Sequence, residues 1–269
     1  MDAVCTGAAP WTAFYRRWRS SAPPLRPHAD VCLAVREHVT SHAARVLLLG
    51  VTPELADIGR QTFAVDTSEN AINVIWPGST AARHAMLGDW RHLPCADGSL
   101  SAAIGDGSLN CVEYPFGYGR IFAELARVVR FRGLIVIRVY VTPCACESIA
   151  DLRDAAMAGR VGNIHALKLR LAMAICAQQG APNVAVQEIL RVFNREFPDR
   201  SALRRVTGWT EEMIDQPDAY KGLPEIYSFP TRTELLACVP RELARPRLVG
   251  SGTYELAERC PLLMMDVRS

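Results

Sequence analysis

The chain has 269 residues, a hydrophobic fraction of 49%, a charged fraction of 22% and a formal net charge of +2. That is the balance of a soluble globular protein with one large core, or one core and a cap. The near-neutral charge gives no electrostatic reason to expect a nucleic-acid or anionic-membrane partner. No apolar run approaches the length of a membrane span and no signal peptide opens the chain, so a cytoplasmic protein is expected. The basic residues are nearly all arginine. The nine cysteines are scattered and odd in number and contain no Cys-x-x-Cys pair, the pattern of reduced thiols. Cys144 and Cys146 are spaced to share a metal, but no second pair completes a site, and no metal is expected.

In the first 30 residues, Trp11, Phe14, Tyr15 and Trp18 fall on one face at helical spacing. They read either as a helix packing its aromatic face on the core or as a flap over a bound ligand. After the break SSAPPLRP, residues 30–39 read as an amphipathic helix. Residues 44–66, ARVLLLGVTPELADIGRQTFAVD, then carry the organising pattern. Val46 to Leu49 form a continuous apolar run, as in a strand buried on both faces. Gly50 ends it, where the backbone turns tightly or meets a ligand. Thr52 as N-cap, Pro53 at the first position and Glu54 in the first turn predict a helix. Phe63, Ala64 and Val65 form a second strand ending at Asp66. An acid at that tip, about 20 residues past a strand-turn-helix, is placed to bind the two hydroxyls of a ribose.

Thr67 or Ser68 caps the next helix, with Ala71, Ile72 and Ile75 apolar, and Trp76-Pro77-Gly78 ends it. Ala85 and Met86 mark a third strand closed by Gly88-Asp89-Trp90. Residues 100–104 are a fourth strand, running into Gly105-Asp106-Gly107-Ser108, a small-residue loop open to a ligand. Residues 119–129 form a helix, residues 130–133 a turn, and residues 134–141 (LIVIRVYV) the clearest strand. Strand and helix alternate, so the fold class is α/β with a mostly parallel sheet. Such sheets bind ligands beyond the carboxyl ends of their strands, and Gly50, Asp66, Asp89 and Asp106 each fall at one.

Residues 143–232 read as helical, over 145–158, 163–179 and 184–197, with breaks at Pro182 and Pro198. Trp209, Tyr220, Tyr227 and Phe229 follow in a turn-rich stretch. The insert is read as a cap over the sheet, with a packing or dimerising appendage as the alternative. Residues 247–249 and 262–267 are the last two strands, expected to pair antiparallel.

Over residues 44–142 the blocks RVLLLG, AVDTS, GDWRHLPCADGSLSAAIGDGSLN and ELARVVRFRGLIVIRVYV resemble, in order and spacing, the class I S-adenosylmethionine-dependent methyltransferases. The resemblance implies a doubly wound, seven-stranded, mostly parallel sheet with a helical cap insert. It divides the chain into an N-terminal segment (1–43), a cofactor-binding core (44–142), the cap (143–232) and a return to the sheet (233–269). It implies S-adenosylmethionine as cofactor and a small organic acceptor as partner. Gly50 and Thr52 would face the methionine part. Asp66 would hold the ribose hydroxyls beside Thr67 and Ser68. Asp89 would accept from the adenine amino group, with Trp90 near the ring. Asp106, Gly107 and Ser108 would line the methyl-donor side, and Tyr15 or Arg26 of the N-terminal flap would reach the cofactor's carboxylate. Trp209, Tyr220 and Tyr227 would wall the acceptor pocket. Candidate bases are Glu113, Tyr114, Tyr118, Glu147 and His165. One departure stands out. The family's first loop is usually glycine-rich, whereas Gly50-Val51-Thr52-Pro53-Glu54 has one glycine, and Pro53 removes an N–H. The alternatives are a cofactor-binding partner subunit without catalysis and a nucleotide-binding oxidoreductase; the absent Gly-x-Gly-x-x-Gly speaks against the latter.

Overall fold

The computed structural model describes Trp18 and residues 21–268; the expectations for Trp11, Phe14 and Tyr15 lie outside them. Helix α1 (Ala29–Val39) is capped by the His28 side chain and buries Val31, Val35 and Val39 along one face. Strand β1 (Arg45–Leu49) follows, then β2 (Gln61–Asp66), parallel to it with Arg45 opposite Gln61. That register gives residues 50–60 little chain with which to return along the whole strand. The helix expected from Thr52 is accordingly only a 3-10 turn, Pro53–Leu55, and the Thr52 hydroxyl caps nothing. Within that turn Leu55 is fully buried.

Helix α2 (Glu69–Ile75) is capped by Ser68, whose Oγ accepts from the Ala71 N–H at 3.1 Å. Strand β3 (Arg83–Leu87) lies outside β2. Strand β4 (Leu100–Asp106) inserts on the other side of β1. Helix α3 (Phe116–Val128) packs Tyr118, Ile121, Phe122, Leu125 and Val128 inward. Strand β5 (Val129–Arg138) starts earlier and stops sooner than the apolar run suggests. The expected turn is a distortion within it, at Arg132 with φ 60, because Val129 already pairs with Leu100.

The insert holds α4 (Ile149–Met157), α5 (Ile164–Gln179), β6 (Asn183–Ala185), α6 (Val186–Glu196), α7 (Arg200–Thr207), α8 (Glu211–Ile214) and β7 (Ile226–Ser228). Strands β6 and β7 form a separate antiparallel ribbon, with Val184 opposite Tyr227. Helix α9 (Arg232–Ala237), β8 (Leu243–Val249) and β9 (Leu262–Val267) complete the chain. The main sheet has seven strands in the order β3-β2-β1-β4-β5-β9-β8, all parallel from β3 to β5, with β9 antiparallel to both its neighbours.

Alternation along the central strands builds a core on each face of the sheet. Leu47 and Leu49 join Leu125 and Ile137 on one side, while Val46 and Leu48 join Val35 and Val136 on the other. The insert has its own core around Leu167, Leu171, Phe193 and Phe229. Asn110, buried just after β4, clasps it to the sheet. Its Nδ2 donates to the Tyr140 carbonyl at 2.8 Å and to the Ser228 carbonyl at 2.6 Å, and its Oδ1 accepts from the Tyr140 N–H at 2.9 Å.

Candidate functional site

A cavity of about 730 Å³ opens where the carboxyl ends of β1, β2 and β4 meet the insert. The strand-end residues expected to hold the cofactor line it, from Gly50 and Thr52 to Gly107 and Ser108, whereas Arg26 does not and Tyr15 lies outside the described residues. The sheet side is built first by Asp66, the last residue of β2. Its Oδ1 accepts from the Ser68 N–H at 2.8 Å, which turns the chain into α2. Burial pushes its carboxyl pKa up to about 6 against the pull of the Ser68 and Thr67 N–H groups. Gly50 has φ +96, and a Cβ there would lie 3.8 Å from the Trp90 ring and 3.9 Å from Asp66 Oδ2. Glycine thus keeps a slot clear between an indole and a carboxylate oxygen. The indole is fixed, since Trp90 Nε1 donates to the Val65 carbonyl at 2.6 Å.

The acids at the other strand ends are already engaged. Asp89 accepts from the Arg91 N–H at 2.8 Å and from Nη2 at 2.7 Å, and the Arg91 hydrogen bonds hold its carboxyl below the usual range. Asp106 forms a buried, two-pronged ion pair with Arg138, the last residue of β5. The Arg138 guanidinium also donates to the Leu25 carbonyl and lies over the Tyr140 ring, pinning the chain before α1 to the rim of the cavity. Gly107, at φ +65, is required here because a Cβ would come within 2.8 Å of the Tyr140 ring. Ser108 Oγ is buried in the cavity wall with no hydrogen-bond partner among the described residues. Arg26 pairs with Glu54 on the β1–β2 connection.

On the cap side, Tyr220 and Tyr227 line the cavity, edge to face at 5.9 Å between ring centroids. Trp209 does not. Its indole N–H donates to the Gly162 carbonyl at 3.3 Å, and its ring is buried in the insert's own core, which corrects its expected place in the acceptor wall. Three candidate bases, Tyr114, Tyr118 and Glu147, do not line the cavity. Tyr118 is fully buried beneath the site, with its hydroxyl 2.9 Å from Ser228 Oγ, because the inner face of α3 packs it into the sheet core. Glu147 lies away from the cavity in an ion-pair cluster with Arg170 and Arg259. The Tyr114 hydroxyl donates to the Glu234 carbonyl at 3.0 Å. Glu113 and His165 do line the cavity.

Several wall residues escaped the sequence reading. Arg138, which stands behind the wall and holds Asp106, had a visible signal, a lone charge inside the apolar run LIVIRVYV. Lys168 had one too, inside the apolar stretch of α5. Asn110, Leu25 and Phe116 carried none, since each reaches the site only through tertiary contacts.

No protein-family model matches this chain, and no curated protein matches it. Among solved structures, similar ones include a protein of Rhodobacter sphaeroides provisionally named a Zn-dependent alcohol dehydrogenase, at 13% identity and TM-score 0.60, with 100% of both chains covered. The 1,6-didemethyltoxoflavin-N1-methyltransferase of Burkholderia thailandensis, solved with 1,6-didemethyltoxoflavin and S-adenosylhomocysteine, aligns at 13% identity and TM-score 0.51, covering 100% of this chain and 92% of that one. A provisionally named methyltransferase in complex with the Haloferax volcanii Trm112 methyltransferase activator aligns at 11% identity and TM-score 0.50, covering 96% and 95%. Strand order bears on the difference in names. A classic dinucleotide-binding sheet runs 3-2-1-4-5-6. Here the last strand in sequence returns antiparallel between β5 and β8. The chain has the fold of the class I S-adenosylmethionine-dependent methyltransferases. Within that methyltransferase fold the cavity occupies the usual crevice beyond the strand ends, where β1 stands between strands that leave in opposite directions.

Proposed function

We propose that this protein binds S-adenosylmethionine and transfers its methyl group to a small organic acceptor. The observation that carries this reading is the Asp66–Gly50–Trp90 slot. It offers a carboxylate for the ribose hydroxyls, facing an indole across space that a Cβ at residue 50 would occupy. The β1–β2 connection fits a zwitterionic cofactor better than a dinucleotide. A pyrophosphate needs a cradle of N–H groups, whereas this loop has one glycine, a proline without an N–H, and Glu54. The unpartnered Ser108 hydroxyl is a ready partner for the polar end of the methionine moiety.

S-adenosylmethionine supplies an activated methyl on its sulfonium. The chain's own task is to hold an acceptor in line with it and to keep water out. Asp66 and Trp90 orient from the sheet side, while Tyr220, Tyr227 and α5 close the cap side. Glu113 and His165 are the proposed candidates for proton removal, being the ones among the earlier set that reach the cavity.

The test is calorimetric titration with S-adenosylmethionine and S-adenosylhomocysteine, followed by a methyl-release assay over candidate acceptors. Saturable binding of both is expected. Absence of binding in both titrations rejects the reading. Binding without turnover of any acceptor favours a cofactor-binding partner subunit, to which the single-glycine loop already lends support.

A further inference from the structure

The segment leading into α1 lies across the carboxyl ends of the sheet and is tied down at several polar groups. The Ser21 N–H donates to the Trp18 carbonyl at 3.0 Å, and the Arg26 N–H to the Ala22 carbonyl at 3.3 Å. Asn163 Nδ2, from the cap, donates to the Pro23 carbonyl at 2.9 Å. The Tyr140 hydroxyl donates to the Pro24 and Leu25 carbonyls at 3.3 and 3.2 Å, and Arg138 Nη2 to the Leu25 carbonyl at 3.2 Å. The Arg26 guanidinium pairs with Glu54. These ties fix the segment between the β1–β2 connection and the ends of β4 and β5. That is the end of the cavity where Gly50, Thr52, Gly107 and Ser108 stand. One polar group of the segment is left over. Trp18 lines the cavity, and its Nε1 is buried with no hydrogen-bond partner among the described residues. Indole nitrogen is a donor only, and a buried donor without an acceptor is costly. Trp90 and Trp209 donate to the Val65 and Gly162 carbonyls. Trp76 Nε1 is also unmet, but Trp76 does not reach the cavity. Arg26, expected at the cofactor's carboxylate, is committed to Glu54 instead. The charge of Asp106 at this end is answered by Arg138, so an anion can approach without meeting a bare carboxylate from β4.

We propose that Trp18 Nε1 donates to the methionine carboxylate of S-adenosylmethionine. The proposal rests on the cofactor reading and adds to it the residue that tells a nucleoside bearing an amino acid from one that does not. A hydrogen bond from a neutral N–H to a carboxylate is charge-assisted. The donor sits on a segment already held in place, so little ordering entropy is lost on binding. Lys168, Arg91 and Arg120 line the cavity from the cap, the loop after β3 and α3, and a carboxylate held by one of them would not depend on Trp18.

The probes are S-adenosylmethionine and decarboxylated S-adenosylmethionine, which keeps the adenosine, the sulfonium and the amine and lacks only the carboxylate. Each is titrated calorimetrically into the full chain and into Trp18→Phe, which keeps an aromatic ring and removes the N–H. The parent is expected to bind S-adenosylmethionine at least about tenfold more tightly than the decarboxylated probe, the scale of one hydrogen bond to a charged group. In Trp18→Phe, S-adenosylmethionine should weaken by about that factor while the decarboxylated form stays within about twofold. Equal binding of the two probes by the parent would overturn the proposal. So would a preference that survives in Trp18→Phe, or an equal loss for both probes in that variant. A measurement on the parent alone decides if the variant does not fold. One of the five tryptophan indole N–H resonances should move downfield with S-adenosylmethionine and not with the decarboxylated probe, and the absence of such a selective shift would overturn the assignment. Failure of the parent to bind either probe rejects the cofactor reading itself. Binding of both without discrimination removes only the role of Trp18 and leaves that reading in place.

Discussion

Asp66 is the residue on which the cofactor assignment turns, and its surroundings make two measurable statements. Removing its carboxylate in Asp66→Ala deletes the acceptor for the ribose hydroxyls, so S-adenosylhomocysteine binding is expected to weaken by about 1.5–3 kcal/mol with the fold intact, the usual scale for hydrogen bonds to a charged group. Unchanged affinity by calorimetry would take Asp66 out of the site. The second statement concerns pH. Burial raises the folded-state pKa of Asp66 to about 6 from the 3.8 of an unperturbed aspartate. Between those values the folded chain binds more protons than the unfolded one, so this residue's contribution to stability is fully present below about 4 and is lost as pH rises through 6. Hydroxyl donors favour the ionised form, so cofactor affinity should run the opposite way, climbing from pH 5 to pH 7 and then levelling. The climb should be absent in Asp66→Asn, and titrations at three pH values would show whether it is. Asp89 is a weaker anchor, because Arg91 already takes most of its acceptor capacity. Asp89→Asn is still expected to bind more tightly than Asp89→Ala, and equal, parental affinity in both would remove the loop from the adenine site.

Among the elements, the cap shows where a sequence pattern succeeds and where it fails. Helices α5 and α6 were legible from apolar residues recurring at helical spacing, and Tyr220 and Tyr227 do reach the cavity. Helix α7 and the β6–β7 ribbon were missed. The first shows one buried residue, Leu203, on an otherwise charged surface, and the second is too short to set up an alternation. Trp209 and Tyr220 come from the same aromatic-rich stretch, but only the structure separates a packing ring from a cavity wall. The separation predicts opposite behaviour. Tyr227→Ala should raise acceptor KM or lower kcat while leaving cofactor affinity within about 0.5 kcal/mol. Trp209→Ala should instead cost about 3–5 kcal/mol of stability, as for a large buried aromatic. Steady-state kinetics and a chemical melt on both variants would distinguish the roles; a selective kinetic defect in Trp209→Ala would reverse them.

For the molecule as a whole, sheet and cap share the cavity and are joined by buried polar ties. Asn110 links the β4 loop to the Tyr140 backbone and to β7, and the Thr142 hydroxyl donates to the Phe229 carbonyl at 2.8 Å. A cofactor seated between the two parts should therefore stabilise the entire fold. At a ligand concentration of 100 Kd the gain is about 2.7 kcal/mol. S-adenosylhomocysteine should accordingly raise the melting temperature by several degrees, at roughly 2–4 °C per kcal/mol for a chain of this size. A shift confined to one of two separate transitions would mean that the cap does not share the site. Among the described residues no helix is long and apolar enough to cross a membrane.

The sequence alone determined the succession of strands β1 to β5 along the chain, the buried run in β1, a helix cap at Thr67 or Ser68 and the acids at the strand tips. These are local features, set by side-chain periodicity, by a hydroxyl within reach of a helix N-terminus, and by glycine's freedom at positive φ. Tertiary structure alone decided the length of the β1–β2 connection, where parallel register left too little chain for the expected α-helix. It alone pulled Tyr118 and Glu147 away from the chemistry, one into a core and the other into an ion-pair cluster. Tertiary structure also brought Arg138 onto Asp106 and placed Lys168 with His165 over the sheet from a helix far along the chain. Those outcomes depend on which surfaces meet after the chain folds back on itself. Side chains distant in sequence acquire a shared burial and a shared charge only then, and no window of neighbouring residues contains that information.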